Sequence, residues 1–128
     1  MIKEDYCSYE VAKILKEKGF NESCYTCYVE KEISHYDYSS TNYELIDGVI
    51  SCPTIQMTMK WLREIHNKHC DIGYDIDLHW FFQIIDLKET VEYDYPETKY
   101  YHTENETGFN SYEEAVEAAL KYVLENLI

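Results

Sequence analysis

Cys52-Pro53-Thr54-Ile55-Gln56-Met57-Thr58-Met59-Lys60-Trp61-Leu62-Arg63-Glu64-Ile65-His66 is the stretch on which the reading of this 128-residue chain turns. Pro53 fixes φ and ends whatever strand precedes it, and the Thr54 hydroxyl can accept a hydrogen bond from an orphan N–H of a first helical turn. Ile55, Met59, Leu62 and Ile65 recur at helical spacing, and Thr58 and Trp61 widen the stripe. Lys60, Arg63 and Glu64 fall mostly on the other side, with the cations toward the end that the helix dipole favours. The spacing predicts a central helix over roughly residues 54–68. Burying Trp61 there is worth about 3–5 kcal/mol against truncation to Ala. Met57, Met59 and Trp61 read as core packing.

Two further helices flank it. Ser8 can cap the first, Glu10 adds charge to its first turn, and Val11, Ala12, Ile14 and Leu15 form the apolar stripe. Gly19 supplies a left-handed exit and Phe20 can fold back on the helix, so this one spans about residues 9–18. Ser111-Tyr112-Glu113-Glu114 is a capping box, followed by Tyr112, Ala115, Val116, Ala119, Leu120, Val123 and Leu127 along one face.

Between the helices the period changes to that of strands. Cys24 to Val29 is rich in β-compatible residues. Glu30 to Asn42 is polar, with Ser39-Ser40-Thr41-Asn42 as a loop tip. Tyr43–Ile46 and Val49–Ile50 flank Asp47-Gly48, as a hairpin or as one bulged strand. Ile72, Tyr74 and Ile76 alternate with Gly73, Asp75 and Asp77, a half-buried strand. Leu78 to Leu87 places Trp80, Phe82 and Ile84 on one face and Phe81, Gln83 and Ile85 on the other, as in an interior strand. Val91, Tyr93 and Tyr95 alternate up to Pro96, Lys99 to Thr103 is one more short strand, and Glu104 to Asn110 is a polar turn. The expectation is one α+β domain over residues 1–128, three helices on a mostly antiparallel sheet in the order α-β-β-α-β-β-β-α.

Eleven Lys and Arg against 25 Asp and Glu give a net charge of −14. Between Asp71 and Glu117, 13 acidic residues are opposed only by Lys88 and Lys99, a local net of −11. Such a surface repels phosphate backbones and anionic membranes, so direct nucleic-acid or lipid binding is disfavoured. The five cysteines are an odd number, and the N-terminal residues lack the apolar run of a signal peptide. Reduced thiols in a cytoplasmic protein are the expectation. Asn21-Glu22-Ser23 and Asn105-Glu106-Thr107 match the glycosylation pattern but have no consequence without a secretory route.

Cys24-x-x-Cys27, with His66-x-x-His69 and Cys70 downstream, supplies ligands that zinc accepts. On a strand, however, residues three apart point to opposite faces, so ordinary packing is the better reading and no metal site is assigned. No Gly-rich phosphate loop, nucleophile elbow or HExxH motif is present, and nothing singles out one Cys–His pair. No catalytic residue and no cofactor follow. The 14 tyrosines are the oddest feature. Glu92, Tyr93, Asp94, Tyr95, Glu97, Tyr100 and Tyr101 form an acidic, tyrosine-bearing tract suited to a protein partner with a basic surface.

Three blocks, Ser8 to Phe20, Cys52 to Glu64 and Tyr112 to Leu127, together resemble a group of small uncharacterised proteins encoded in phages, prophages and mobile elements of gut bacteria. The resemblance implies a cytosolic bacterial or phage α+β domain and no activity, since that group has no assigned chemistry. The expected function is non-enzymatic: a cytoplasmic accessory protein that binds another protein, with homodimerisation compatible with that role. The alternatives are an acidic nucleic-acid mimic that blocks a DNA-binding host protein, and a small metal- or thiol-site protein.

Overall fold

The computed structural model describes residues 1–75, 79–87, 100–102 and 108–128. Among them are three helices and six strands, an α+β arrangement in the expected order: α1 Tyr9–Glu17, β1 Cys24–Val29, β2 Glu32–Ser40, β3 Val49–Ser51, α2 Ile55–His66, β4 Lys68–Tyr74, β5 Trp80–Asp86, β6 Tyr100–His102 and α3 Tyr112–Asn126. The strands form two antiparallel sheets of three, β2-β1-β3 and β4-β5-β6, where one sheet was expected. Helical and strand periods show which face of an element is buried, but not which strands pair. The chain divides into two compact units, Met1–Thr58 and Met59–Ile128.

In the first unit, the Ser8 hydroxyl accepts from the Val11 N–H at 3.1 Å, and α1 buries Val11, Ala12 and Leu15. At its exit the Phe20 N–H bonds the Leu15 carbonyl and the Gly19 N–H the Lys16 carbonyl, with Gly19 at φ 91. This is a complete Schellman motif, and Phe20 is buried as the motif requires. Asn42 then ties the exit down. Its buried amide donates to the Phe20 carbonyl at 2.7 Å and accepts from the Ser51 N–H at 2.9 Å.

β2 is a strand that the sequence reading passed over as polar chain. Val29 pairs with Glu32, so Glu30 and Lys31 alone make the turn, at φ 54 and 69. A two-residue hairpin turn with both φ positive normally carries Asn or Gly, and neither residue advertises it. β2 is solvent-exposed along most of its length, which also hides the alternation that marks a half-buried strand. Tyr43–Ile46, expected as strand, is turn instead. The Glu44 N–H bonds the Thr41 carbonyl, and the Glu44 carboxylate accepts from the Thr41 N–H at 3.0 Å.

The α2 start is as expected: the Thr54 hydroxyl accepts from the Met57 N–H at 3.0 Å. Thr58, Met59, Trp61 and Leu62 are buried, but Met57, at the margin of the stripe, and Ile65, in the last turn, are exposed. The helix stops at His66 because Asn67 takes φ 56, a conformation Asn tolerates, and β4 begins one residue later.

In the second unit β4 and β5 pair without a break from Lys68↔Asp86 to Tyr74↔Trp80. A half-buried ion pair, Lys68 Nζ to Asp86 Oδ2 at 3.1 Å, closes one end. Gln83 Nε2 donates to Asp71 Oδ2 at 2.6 Å across the middle. Phe81 lies over the space that a side chain at Gly73 would need. Phe82 and Ile84 are buried, and Phe82 meets Phe109 and Tyr122 of α3, each at 6.0 Å between ring centres. The Ser111 hydroxyl accepts from the Glu114 N–H at 3.1 Å, while the Glu114 carboxylate reaches the Asn110 N–H, one residue beyond the usual partner in a capping box. Tyr100–His102 is the short strand expected near Lys99, pairing with β5. The strand read at Val91–Tyr95 and the turn at residues 104–107 lie outside the described residues.

Two measurements test this account. Glu30→Asn is expected to raise the urea midpoint by up to about 1 kcal/mol of stability, because Asn occupies the left-handed region at less cost than Glu. Gly108→Ala is expected to lower stability by about 1–3 kcal/mol. Gly108 has φ 67, and an added Cβ would sit 2.5 Å from the His79 Cβ, beside the paired Trp80–Phe109 backbone bonds.

Candidate functional site

The chemistry-bearing residues of the first unit gather where the N-terminal segment, β1 and the entry to α2 meet. Pro53 cannot donate, so the segment at 52–54 bonds through its neighbours. The Cys52 N–H donates to the Thr26 carbonyl, the Thr26 hydroxyl donates back to the Cys52 carbonyl, and the Cys7 N–H donates to the Pro53 carbonyl at 3.0 Å. The Tyr28 hydroxyl donates to the Cys7 carbonyl at 2.6 Å, and Tyr6 pairs with Thr54 in an isolated bridge. A mostly apolar cleft of about 240 Å³ opens beside this crossing, lined by Tyr6, Cys24, Thr26, Cys52, Pro53 and Met57 among others.

All five cysteines are buried thiols. Cys24 donates to the Glu22 carbonyl at 3.6 Å; burial, with Cys52 and Glu22 nearby, pushes its thiol up to about 11. Cys70, on β4, is pushed up to about 12 by burial, which Arg63 only partly offsets. Both are neutral at pH 7 and therefore poor nucleophiles. Cys52 moves the other way: hydrogen bonding from Cys7 first, then from Tyr28 and Thr26, outweighs its burial.

Cys24 and Cys27 lie on the one strand β1, three residues apart, and so point to opposite faces. His66 ends α2 with its ring 4.6 Å from that of Trp61, in edge-to-face contact. His69 and Cys70 stand in β4 opposite Ile85 and Ile84. Among the described residues no group of three or more His, Cys, Asp or Glu side chains is arranged to hold a metal ion.

Of the tract proposed for partner binding, Glu92, Tyr93, Asp94, Tyr95 and Glu97 lie outside the described residues, and Tyr100 and Tyr101 belong to β6, which pairs on one side with β5. Sequence reading missed a second tyrosine set on the first unit. Tyr25 and Tyr38 are 61% and 66% exposed, and the Tyr36 and Tyr38 rings are 5.5 Å apart. Cys27 pairs with Ser34, so Tyr25, Cys27 and Tyr36 share one face of the sheet, and Tyr36 hydrogen-bonds the buried Cys27 thiol, which raises its phenol. The pairing of β1 with β2 skips from Cys24↔Ser40 to Thr26↔His35, so Tyr36 to Ser39 bulge outward opposite Tyr25. The available signal was Tyr36-Asp37-Tyr38, two aromatics one strand period apart.

The fold and these sites define an acidic α+β protein with thiols sealed inside and tyrosines on its surface. No protein-family model, curated protein or solved structure matches the chain. Among the described residues no helix is long and apolar enough to cross a membrane.

The raised thiols carry a pH dependence with a definite sign. An unfolded cysteine ionises near about 8.5, whereas folded Cys70 holds its proton to about 12. The stability gained by keeping it neutral is therefore complete below the unfolded value and is lost as pH climbs through the folded one. Urea midpoints of wild type and Cys70→Ala at pH 7.5 and 10 are expected to converge at the higher pH by on the order of 1–2 kcal/mol. A constant gap would contradict a desolvated thiol.

Proposed function

We propose that this chain is a non-enzymatic accessory protein, of phage or mobile-element type, that acts by binding a protein with a basic surface. The observation that carries the reading is the tyrosine cluster of the first unit, where Tyr25, Tyr36 and Tyr38 are exposed around a bulge in the sheet. Tyrosine offers large contact area for little conformational entropy, and it is enriched where proteins meet. Glu30, Glu32 and Asp37 on and beside β2 add negative charge to that surface, in keeping with the net charge of −14. The protonated Cys24 and Cys70 favour a structural role for those thiols over nucleophilic catalysis.

The test compares wild type with Tyr25→Ser/Tyr38→Ser as immobilised bait in lysate of the native host. Tyr36 is left in place because it bonds Cys27. A partner held by wild type is expected to bind the double variant at least tenfold more weakly at unchanged melting temperature, about 1.4 kcal/mol. Its affinity should fall as salt rises from 50 to 300 mM, as charge complementarity requires. Equal retention by the two baits would overturn the assignment of this face.

A further inference from the structure

The Cys7–Cys52 pair is the cluster that neither the fold nor the binding face uses. The two residues are 45 positions apart, and the Cys52 thiol donates to the Cys7 carbonyl at 3.7 Å. Their segments run side by side, fixed by the Tyr6↔Thr54 bridge, by the Cys7 N–H to the Pro53 carbonyl, and by the Ile55 N–H to the Asp5 carbonyl at 2.9 Å. Hydrogen bonding from Cys7 also draws the Cys52 thiol down. Cys52 borders the cleft and Cys7 does not, and both are fully buried.

We propose that Cys7 and Cys52 form a reversible dithiol/disulfide site oxidised by a small hydroperoxide that enters through the cleft. The Cys52 sulfur attacks one peroxide oxygen. The O–O bond breaks, Cys52 becomes a sulfenic acid, and the departing oxygen leaves as water after taking up the thiol proton. The Cys7 sulfur then attacks the Cys52 sulfur and expels a second water, so that two thiols lose two electrons and two hydrogens while one peroxide is reduced to two waters. A dithiol reductant reverses the step by exchange, leaving both thiols restored and the reductant as its own disulfide.

The burial of the two thiols sets the specificity. Both residues are fully buried, so the oxidant has to be close to water in size, as hydrogen peroxide is, and a tripeptide disulfide is too bulky. Cys24 lines the same cleft, but its thiol is turned to the Glu22 carbonyl and held protonated by burial. Cys27 faces the opposite side of the sheet. The product would staple the N-terminal segment to the entry of α2 and close a loop of 45 positions, which restricts the unfolded chain.

The experiment treats the reduced full chain with hydrogen peroxide under native conditions, then unfolds it in iodoacetamide and digests it with trypsin without reductant. The expected product is the peptide Glu4–Lys13 joined to Glu32–Lys60, which contain Cys7 and Cys52 as their only cysteines, with an intact mass lower by two hydrogens. The melting temperature should rise on oxidation and return with dithiothreitol, and oxidised glutathione should act far more slowly than peroxide. Cys24→Ser should keep the link and Cys52→Ser should abolish it; the wild-type peptide map stands even where a variant fails to fold. Five alkylated thiols after peroxide, or a link from Cys52 to Cys24, would overturn the proposal.

Discussion

The first unit depends on the crossing at Cys52–Thr54. Pro53 ends β3 and cannot donate, so the chain there is held by what its neighbours donate and accept: Thr26 of β1 on one side, Cys7 of the N-terminal segment on the other. Left unpaired in a buried setting, each of these backbone groups would cost about 1–3 kcal/mol. The satisfied crossing fixes where β3 stops, where α2 starts and where the segment before α1 lies. Thr54 serves twice, pairing with Tyr6 through its backbone and capping α2 through its hydroxyl. Cys7 and Cys52 are small, weakly polar side chains that fit a seam where backbones approach closely.

Helix starts and stops were legible because their chemistry is local. Ser8, Thr54 and Ser111 each place a hydroxyl where an N–H of the first turn is orphaned, and Gly19-Phe20 carries both halves of a Schellman exit. Asn67 shows the limit of that kind of reading. An apolar stripe continuing to Ile65 argued for a helix running to residue 68, but a single left-handed Asn ended it and the strand began at once. β2 failed for the opposite reason: an edge strand exposed along most of its length has no apolar alternation to read, and Glu30-Lys31 is an atypical turn pair. Pairing of strands into two sheets was illegible in principle, since it depends on contacts distant in sequence.

Strand period placed single residues but not the contacts between segments. That Cys24 and Cys27 could not share one face of a strand followed from the period alone. That Cys52 would meet Cys7 did not, because the contact depends on the N-terminal segment lying beside residue 53, and no local pattern announces it. Tyrosine abundance drew attention to the surface, but composition cannot choose among 14 tyrosines. Exposure does. Tyr28 is buried with its hydroxyl on the Cys7 carbonyl, whereas Tyr25, three residues earlier on the same strand, is open to solvent.

That contrast between Tyr28 and Tyr25 reflects the two faces of one thin sheet. The face bearing Thr26 and Tyr28 leads through hydrogen bonds to Cys7 and Cys52; the face bearing Tyr25 and Cys27 carries Tyr36 and the bulge. Both faces share β1, the central strand of the three. The bulge opposite Tyr25 matters here for a second reason. It breaks the regular ladder of a long exposed edge, which discourages indiscriminate strand pairing.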